Sequence, residues 1–244
     1  MHFSRTQWLC AALSLFVFAG LALGEAGIWP LEAFDRAITD AVPALRTETL
    51  NLLMLVVTAL GDSRFLIFVA LVTVLALLAA RAWREALLFG AAFALMPAIV
   101  KLLKMTIARP RPTVDLYGGV ESFSFPSGHA TNSALIYGAL ALLALAVFRK
   151  LPGRLLAAVF ALLAVMIAVS RIYLGAHWPS DTLAGLGLAS LMLTLMSVVQ
   201  DELRLPDAAK FVPFVLILLT AAFPLYLLIA LPEARELYTA LHAE

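Results

Sequence analysis

Seven apolar stretches recur along the chain, and each has close to the roughly 20 residues that a helix needs to cross about 30 Å of hydrocarbon. They cover residues 8–23, 65–80, 86–103, 130–148, 155–169, 182–199 and 211–230. Inside a bilayer each stretch must be a helix, because a helix pairs its backbone polar groups within the segment. The composition is 63% apolar and 14% charged, whereas soluble domains average about half and a quarter. The chain is therefore predicted to fold as an all-α, polytopic membrane helical bundle.

Two shorter segments lie between the first and second stretches. Residues 29–42 carry apolar side chains at helical spacing, with Pro30 suited to the first helical position and Pro43 to the stop. The apolar positions are Leu31, Phe34, Ile38 and Val42. Asp35 falls near the edge of that apolar face, and we expect a helix that lies on the membrane surface with its charges solvated. Residues 51–60 form a second apolar piece, which is too short to span alone.

The first stretch is interpreted as a retained membrane anchor. The alternative is a cleaved signal peptide, which the short basic start and the small residues near Gly24 would also fit. The amphipathic segment 29–42 favours the anchor, because it does not resemble a mature N-terminus. Cys10 is the single cysteine, so an intramolecular disulfide is excluded. Its place in the apolar stretch predicts a buried, inert thiol.

Short basic loops give the predicted orientation. Arg81 and Arg84 join the second and third stretches, and basic residues at positions 149, 150 and 154 join the fourth and fifth. The positive-inside rule places both loops in the cytoplasm, and alternate crossings then place the N-terminus inside and the intervening loops outside. Four basic residues on that outer side contradict the rule: Lys101, Lys104, Arg109 and Arg111. A bound anion explains them better than interfacial snorkelling.

The outer ends of the predicted spans carry groups that suit a phosphate. Lys104 offers a point charge, while Arg111 and Arg171 offer planar forks that match phosphate oxygens two at a time. Ser127 can cap the fourth span, and Gly128 lets the backbone approach an anion closely. The amides and the dipole at that helix start also favour an anion. These five residues predict a phosphate-binding site.

Two histidines and a carboxylate in the same region suit phosphoryl transfer. His177 lies just before the sixth span, and Pro179 suits the first position of that helix. Asp181 follows four residues after His177, close enough to hydrogen-bond one ring nitrogen and leave the other free to attack. His129, in the facing motif, would then protonate the departing oxygen. Each residue alone has a structural explanation, but their order, spacing and common side of the membrane favour a catalytic site.

Three sequence elements carry a family resemblance. They are Lys104-x6-Arg111-Pro112, Pro126-Ser127-Gly128-His129 and Ser170-Arg171-x5-His177-x3-Asp181. At every signature position they resemble the three motifs of the type 2 phosphatidic acid phosphatase family. The resemblance implies one membrane domain over residues 1–244 that is built on a six-helix core. Its motif core lies near residues 64–200, and the last apolar stretch is predicted to be an extra C-terminal span near 211–230. It also implies a site on the periplasmic side of a bacterial inner membrane.

The resemblance further implies the chemistry. His177 would form a phosphohistidine, His129 would be the acid and Asp181 would orient the nucleophile. The implied phosphate-binding residues are Lys104, Arg111, Ser127, Gly128 and Arg171. No metal or other cofactor is expected, and Asp115 and Glu121 are interpreted as solvated loop charges. Vanadium-dependent haloperoxidases share a similar pocket, but they are soluble, so the apolar spans argue against that activity.

The predicted partners are the membrane and a lipid phosphate; no basic run of the kind that binds nucleic acid occurs. Aromatic residues in the loop 113–125 are expected to form a lip for lipid entry: Tyr117, Phe123 and Phe125. The substrates that the resemblance implies are phosphatidic acid, phosphatidylglycerol phosphate, undecaprenyl diphosphate and lipid A phosphates, and the motifs do not choose among them. A lipid-to-lipid phosphotransferase stays open as an alternative. A transporter is disfavoured, because transport sites usually lie near the midplane on broken helices. The motifs leave the oligomeric state undetermined.

Overall fold

The structure, a computed structural model, describes residues 4–28, 30–112, 122–148, 151–200 and 212–238. Its described part contains nine α-helices and one short 3-10 turn, Pro43–Leu45. The helices are α1 Arg5–Glu25, α2 Leu31–Thr39, α3 Glu48–Ala59, α4 Ser63–Ala79, α5 Trp83–Ile107, α6 Gly128–Val147, α7 Leu151–Tyr173, α8 Pro179–Gln200 and α9 Val212–Leu237. Each of the seven predicted apolar stretches lies on one of these helices over its described residues.

Six of the described helices are long and apolar enough to cross a membrane: α1, α5, α6, α7, α8 and α9. Helices α3 and α4 pass the same test only as a pair, bent by 44° at the break between them, which raises the number to as many as seven. Large apolar side chains such as Leu71, Leu162 and Leu228 are exposed on the outside of the bundle. Such a surface requires lipid around it, which confirms the predicted all-α membrane architecture.

Helix α6 lies at the centre of the bundle, packed against α4, α5, α7 and α8. The core around it includes Val69, Phe89, Met96, Ala139 and Ile167, all fully buried. Helix α1 packs on α8, and α9 packs on α3 and α4. The ends that meet at one face of the bundle are the C-termini of α5 and α7 and the N-termini of α6 and α8, which carry the sequence motifs.

Helix α2 differs from the amphipathic surface helix that the sequence predicts. Pro30 is the residue before its first turn, and the helix ends at Thr39, so Pro43 begins the 3-10 turn instead of stopping α2. The prediction for Asp35 is wrong, because this side chain is 0% exposed. It points into the protein, where a buried arginine binds it. Glu32, Arg36 and Asp40 are exposed, as expected of the charges, and Glu32 pairs with Arg36 at 2.6 Å.

Two further predictions about burial are wrong. Cys10 is exposed, because α1 packs on α8 through a narrow side that includes Ser14 and leaves most of its surface outside the bundle. Phe125 is 0% exposed and cannot form an interfacial lip; its ring lies 6.3 Å from that of Phe18. Tyr117, together with Asp115 and Glu121, lies outside the described residues.

The break between α3 and α4 is a tight elbow against α6 and α7. A Cβ atom on Gly61 would lie 2.5 Å from Ile167 Cγ2 and 2.8 Å from Ser133 Oγ, so only glycine fits there without movement of its neighbours. The elbow leaves a carbonyl at Leu60 outside the regular helical pattern, and the Tyr137 hydroxyl donates to it at 2.8 Å. That bond supplies the partner that a backbone group needs away from water.

Candidate active site

A cavity of about 170 Å³ lies where the C-termini of α5 and α7 meet the N-termini of α6 and α8. Six of the eight residues predicted for the site line it: Lys104, Arg111, Gly128, His129, Arg171 and His177. The other two, Ser127 and Asp181, are fully buried behind its wall. Lys101, one of the basic residues on the predicted outer side, also lines the cavity. The remaining lining residues were not predicted from the sequence: Ser63, Pro97, Val100 and Asn132. The structure thus brings three distant motifs to one space.

The three predicted phosphate-binding cations are all buried. Lys104 Nζ donates to the carbonyl of Phe123 at 2.6 Å, and Arg111 Nη1 donates to the carbonyl of Ala176. Arg171 Nη1 donates to the hydroxyl oxygens of two side chains, on α3 and just after α9, at 2.8 and 2.7 Å. Burial of a cation is unfavourable unless it is hydrogen-bonded and its charge is balanced. A dianionic phosphate in the cavity would balance these charges.

The turn before α6 has the expected capping geometry. Ser127 is the N-cap, and its hydroxyl accepts from the amide of Ala130 at 3.4 Å. Its own amide donates to the carbonyl of Asp181 at 3.1 Å, which ties the starts of α6 and α8 together. The Ser127 side chain therefore shapes the helix start, while Gly128 presents its backbone to the cavity. The positive end of the α6 dipole faces the same space.

His177 lies in the short connection between α7 and α8, and one nitrogen of its ring contacts an arginine. Nε2 lies 3.0 Å from Arg111 Nη1. Because a guanidinium can only donate, Nε2 must accept, and the ring hydrogen of the neutral imidazole is on Nδ1. Burial, followed by the charges of Arg111, Arg171 and Lys104, holds the pKa of His177 well below its ordinary value. At neutral pH the ring is therefore uncharged, with its nucleophilic lone pair on Nε2.

Asp181 lies on the Nδ1 side of the same ring. Its Oδ2 is 3.5 Å from His177 Nδ1, and among the described residues Nδ1 has no hydrogen-bond partner. Oδ2 accepts from the amide of Trp178 at 2.9 Å, and Oδ1 accepts from Arg109 at 2.6 Å. The carboxylate is thus fixed in place, and a small rotation of the ring would complete the predicted hydrogen bond. Pro179 begins α8, as the sequence predicts.

Arg109 was interpreted with the cations that bind an external anion, and the structure corrects this. Its guanidinium binds three carboxylates of the protein itself: Glu25 at 2.8 Å, Asp35 at 2.7 Å and Asp181 at 2.6 Å. Ser180 completes the cluster, accepting from Arg109 at 2.7 Å and donating to Asp35 at 2.6 Å. Ala108, in the left-handed conformation at φ 51°, ends α5 and directs the chain toward this cluster. Arg109 therefore holds α1, α2 and α8 together around Asp181.

Comparison with known proteins gives a consistent result. Residues 85–205 match the PAP2 superfamily. Phosphatidylglycerophosphatase B of Bacillus subtilis is 29% identical over 194 residues, which cover 79% of this chain and 96% of that protein. Lipid A 1-phosphatase of Rhizobium johnstonii is 33% identical over 111 residues, 41% of this chain and 42% of the relative. The crystal structure of a transmembrane PAP2 type phosphatidylglycerolphosphate phosphatase from Bacillus subtilis matches with a TM-score of 0.68 and 28% identity, covering 80% of this chain and 97% of that one.

The chain belongs to the PAP2 superfamily. This confirms the family that the three motifs indicated, the membrane helical fold and the enzyme class, a lipid phosphate phosphatase. The PAP2 match begins within α5 and ends before α9. Helices α1 to α4 and α9 therefore lie outside the matched segment, although α1 and α2 supply two of the carboxylates that bind Arg109.

Proposed function

We propose that the protein hydrolyses the terminal phosphate of a membrane lipid, with phosphatidylglycerol phosphate as the first candidate substrate. The observation that carries this proposal is a cavity with three buried cations and two histidines that is continuous with an apolar recess. The curated Bacillus subtilis relative and the Bacillus subtilis crystal structure, which both carry names for phosphatidylglycerol phosphate phosphatases, favour that substrate. The Rhizobium relatives make a lipid A 1-phosphate the second candidate.

The recess has a volume of about 130 Å³ and lies between α4, α5 and α6. Its apolar lining consists of Leu66, Ile67, Ala70, Phe93, Leu135 and Ile136. Ser63, Pro97 and Asn132 line both the recess and the cation cavity, so the two spaces adjoin. A lipid with its phosphate among the cations can place the start of an acyl chain in the recess. Burial of that chain stabilises binding by about 0.8 kcal/mol per methylene.

Asn132 favours a headgroup that carries a hydroxyl. Its side-chain oxygen is buried and has no hydrogen-bond partner among the residues that the structure describes. A buried acceptor without a donor is unfavourable by about 1–3 kcal/mol. The glycerol of a phosphatidylglycerol headgroup offers a hydroxyl close to the terminal phosphate, and this hydroxyl could donate to Asn132 where the two spaces adjoin.

The proposed reaction has two steps. The substrate phosphate binds Lys104, Arg111 and Arg171, and Arg111 exchanges its contact with His177 Nε2 for a phosphate oxygen. Nε2 then attacks phosphorus in line, the bond from phosphorus to the ester oxygen breaks, and His129 protonates that oxygen. The positive charge that forms on His177 is stabilised by Asp181, which lies beside its Nδ1–H.

The second step releases the phosphate. Water attacks the phosphohistidine and gives a proton to His129, the bond from phosphorus to Nε2 breaks, and inorganic phosphate leaves the neutral His177. Three cations and the start of α6 supply the positive charge in both steps, so the proposed chemistry needs no metal. A lipid hydroxyl in place of water would give the phosphotransferase alternative.

The proposed location is a bacterial inner membrane with the site on the periplasmic side. Arg81, Arg84 and Arg154 lie at the opposite end of the bundle from the cavity, at the starts of α5 and α7. The positive-inside rule places that end in the cytoplasm. The phosphate of a lipid in the outer leaflet would then lie at the same depth in the bilayer as the cavity.

The experiment that tests this function is phosphate release by the purified protein in detergent with EDTA present. Phosphatidylglycerol phosphate, phosphatidic acid, undecaprenyl diphosphate and a lipid A 1-phosphate are offered in parallel. We expect release from phosphatidylglycerol phosphate at a kcat/KM at least about tenfold above the others. Preference for lipid A would favour the second candidate, and radiolabel in a second lipid in place of phosphate would favour the transferase. Loss of release in EDTA would contradict the metal-free mechanism.

Filling the recess should weaken lipid turnover selectively. The substitution Ala70→Phe places a ring in the space proposed for the acyl chain, so kcat/KM for a long-chain lipid phosphate should fall about tenfold, the effect of two methylenes. Turnover of a short, water-soluble phosphate ester should be unchanged. Ala94→Phe is the matched control, because Ala94 is exposed on α5 and does not line the recess. Equal effects of the two substitutions on lipid turnover would contradict the assignment of the recess.

A further inference from the structure

The end of the seventh apolar helix contacts a motif arginine. The Tyr238 hydroxyl, one residue after α9, accepts from Arg171 Nη1 at 2.7 Å, and the guanidinium carbon lies 5.9 Å from the centre of the tyrosine ring. Both residues are among the most deeply buried large side chains, at 2% and 1% exposed. A helix outside the PAP2 match therefore contacts the part of the protein proposed to bind phosphate.

We infer that Tyr238 is a positioning residue for the phosphate site, so that α9 contributes to the geometry of that site. The inference rests on the proposed function, since it assumes that Arg171 binds the substrate phosphate. Thr58 on α3 supplies the second anchor, accepting from the same Nη1 at 2.8 Å. The two hydrogens of Nη1 thus go to two hydroxyl oxygens on different helices, and this fixes the plane of the guanidinium.

The nature of these anchors distinguishes Arg171 from Arg109. Thr58 and Tyr238 are neutral acceptors, so they orient the guanidinium without neutralising its charge. Arg109 is bound by three carboxylates, which compensate its charge within the protein. An arginine side chain loses rotamer freedom when it is ordered. With Arg171 already ordered, that loss does not reduce the affinity for phosphate.

The position of Tyr238 is itself secured by contacts along α9. Glu233 binds Arg64 of α4 at 2.5 Å. Phe65 lies between two aromatic residues of α9, with ring centres 5.2 Å from Phe223 and 5.3 Å from Tyr226. The aromatic contacts hold α9 against α4, and the ion pair, whose side chains are both exposed, adds little to them. Tyr238 therefore meets Arg171 at a defined height, as a positioning role requires.

The test compares two tyrosine-to-phenylalanine substitutions. Tyr238→Phe removes the bond to Arg171 and keeps the ring. Tyr173→Phe is the matched control, because Tyr173 packs in the same cluster and its hydroxyl binds Asn51, away from Arg171. For each variant we would measure lipid-phosphate kcat and KM, the inhibition constant of orthovanadate, and the melting temperature in detergent.

We expect Tyr238→Phe to weaken orthovanadate binding and to lower kcat/KM, each about tenfold, because it removes a hydrogen bond from a charged group. The melting temperatures of the two variants should be similar. Thr58→Val, which keeps the shape of the side chain and leaves α9 unchanged, should weaken orthovanadate binding to a similar extent. If Tyr238→Phe does not fold, unchanged orthovanadate binding by Thr58→Val would still overturn the inference, because it would show that the anchoring of Nη1 does not affect the phosphate site.

The inference is overturned if Thr58→Val and Tyr238→Phe bind orthovanadate as tightly as Tyr173→Phe does. It is also overturned if all three variants lose affinity equally, since that is the result of general destabilisation. Orthovanadate binding can be measured by direct titration without any lipid. Failure of the wild type to hydrolyse every lipid offered would contradict the proposed function, whereas the vanadate comparison would still decide the role of Tyr238.

Discussion

Replacement of His177 by asparagine is expected to lower kcat for a lipid phosphate by at least about 10³-fold, because the side chain that attacks phosphorus is lost. Asparagine keeps a polar group of similar size beside Arg111. The cations that line the cavity are unchanged, so orthovanadate should still bind. The measurement is single-turnover phosphate release together with a search for a protein-bound, acid-labile phosphate after reaction with a radiolabelled substrate.

The matched variant is His129→Asn, which removes the proposed acid and keeps the nucleophile. It should lose turnover of lipid esters, whose alkoxide needs a proton as it leaves. It should keep substantial label transfer from an aryl phosphate, whose phenolate leaves without one. His177→Asn should transfer no label from either substrate. A labelled protein from His177→Asn, or turnover near the wild-type rate, would refute the assignment of the nucleophile.

The second large effect is expected on stability. Arg109→Met leaves Glu25, Asp35 and Asp181 near one another without the cation that binds all three. Removal of one partner from a buried ion pair destabilises proteins by about 3–5 kcal/mol. For a chain of this length that corresponds to a fall in melting temperature of about 10 °C. Activity should fall as well, because Asp181 would lose the bond that fixes its Oδ1.

Arg36→Met is the matched control for this substitution. Arg36 lies on α2, one residue after Asp35, but its side chain is exposed and pairs only with the exposed Glu32 among the described residues. Exposed pairs of this kind contribute about 0–1 kcal/mol. Thermal unfolding of both variants in the same detergent provides the comparison. Equal melting temperatures would mean that the Arg109 cluster does not hold α1, α2 and α8 together.

The sequence was sufficient to locate the spans and the motif residues, for physical reasons. Transmembrane length and apolarity are local properties, so every predicted stretch lies on a helix. The helix-start chemistry of Ser127 and Pro179 is equally local, and both residues lie at helix starts. The motif residues share one face because the loops between spans alternate sides. The roles proposed for these residues stay predictions.

The contacts that hold the site could not be predicted in this way, because their partners are distant in sequence. Asp35 lies 74 residues from Arg109, and Arg171 lies 67 residues from Tyr238. A helical wheel shows that Asp35 lies near the edge of the apolar face of α2, but it does not show whether that edge contacts protein or water. Likewise an apolar stretch around Cys10 is compatible with either lipid or protein as its surroundings. In the structure Cys10 is exposed, so it does not lie in the protein core. Only the arrangement of α1, α2 and α9 around the motif helices resolves these cases.

The elbow at Gly61 has a consequence for how this sequence can vary over evolution. Residue 61 has no functional group, yet the space beside it is bounded by Ile167, Ser133 and His129, the last with Cδ2 3.4 Å from where a Cβ would be. Any larger residue there would have to push aside Ile167 and Ser133 or separate the elbow from α6 and α7, and it would lie in contact with a proposed catalytic histidine. Selection for catalysis is therefore expected to preserve this glycine as strictly as a charged motif residue, although it takes no part in the reaction. Mutational tolerance at position 61 is thus set by the side chains of two other helices that pack directly on its backbone.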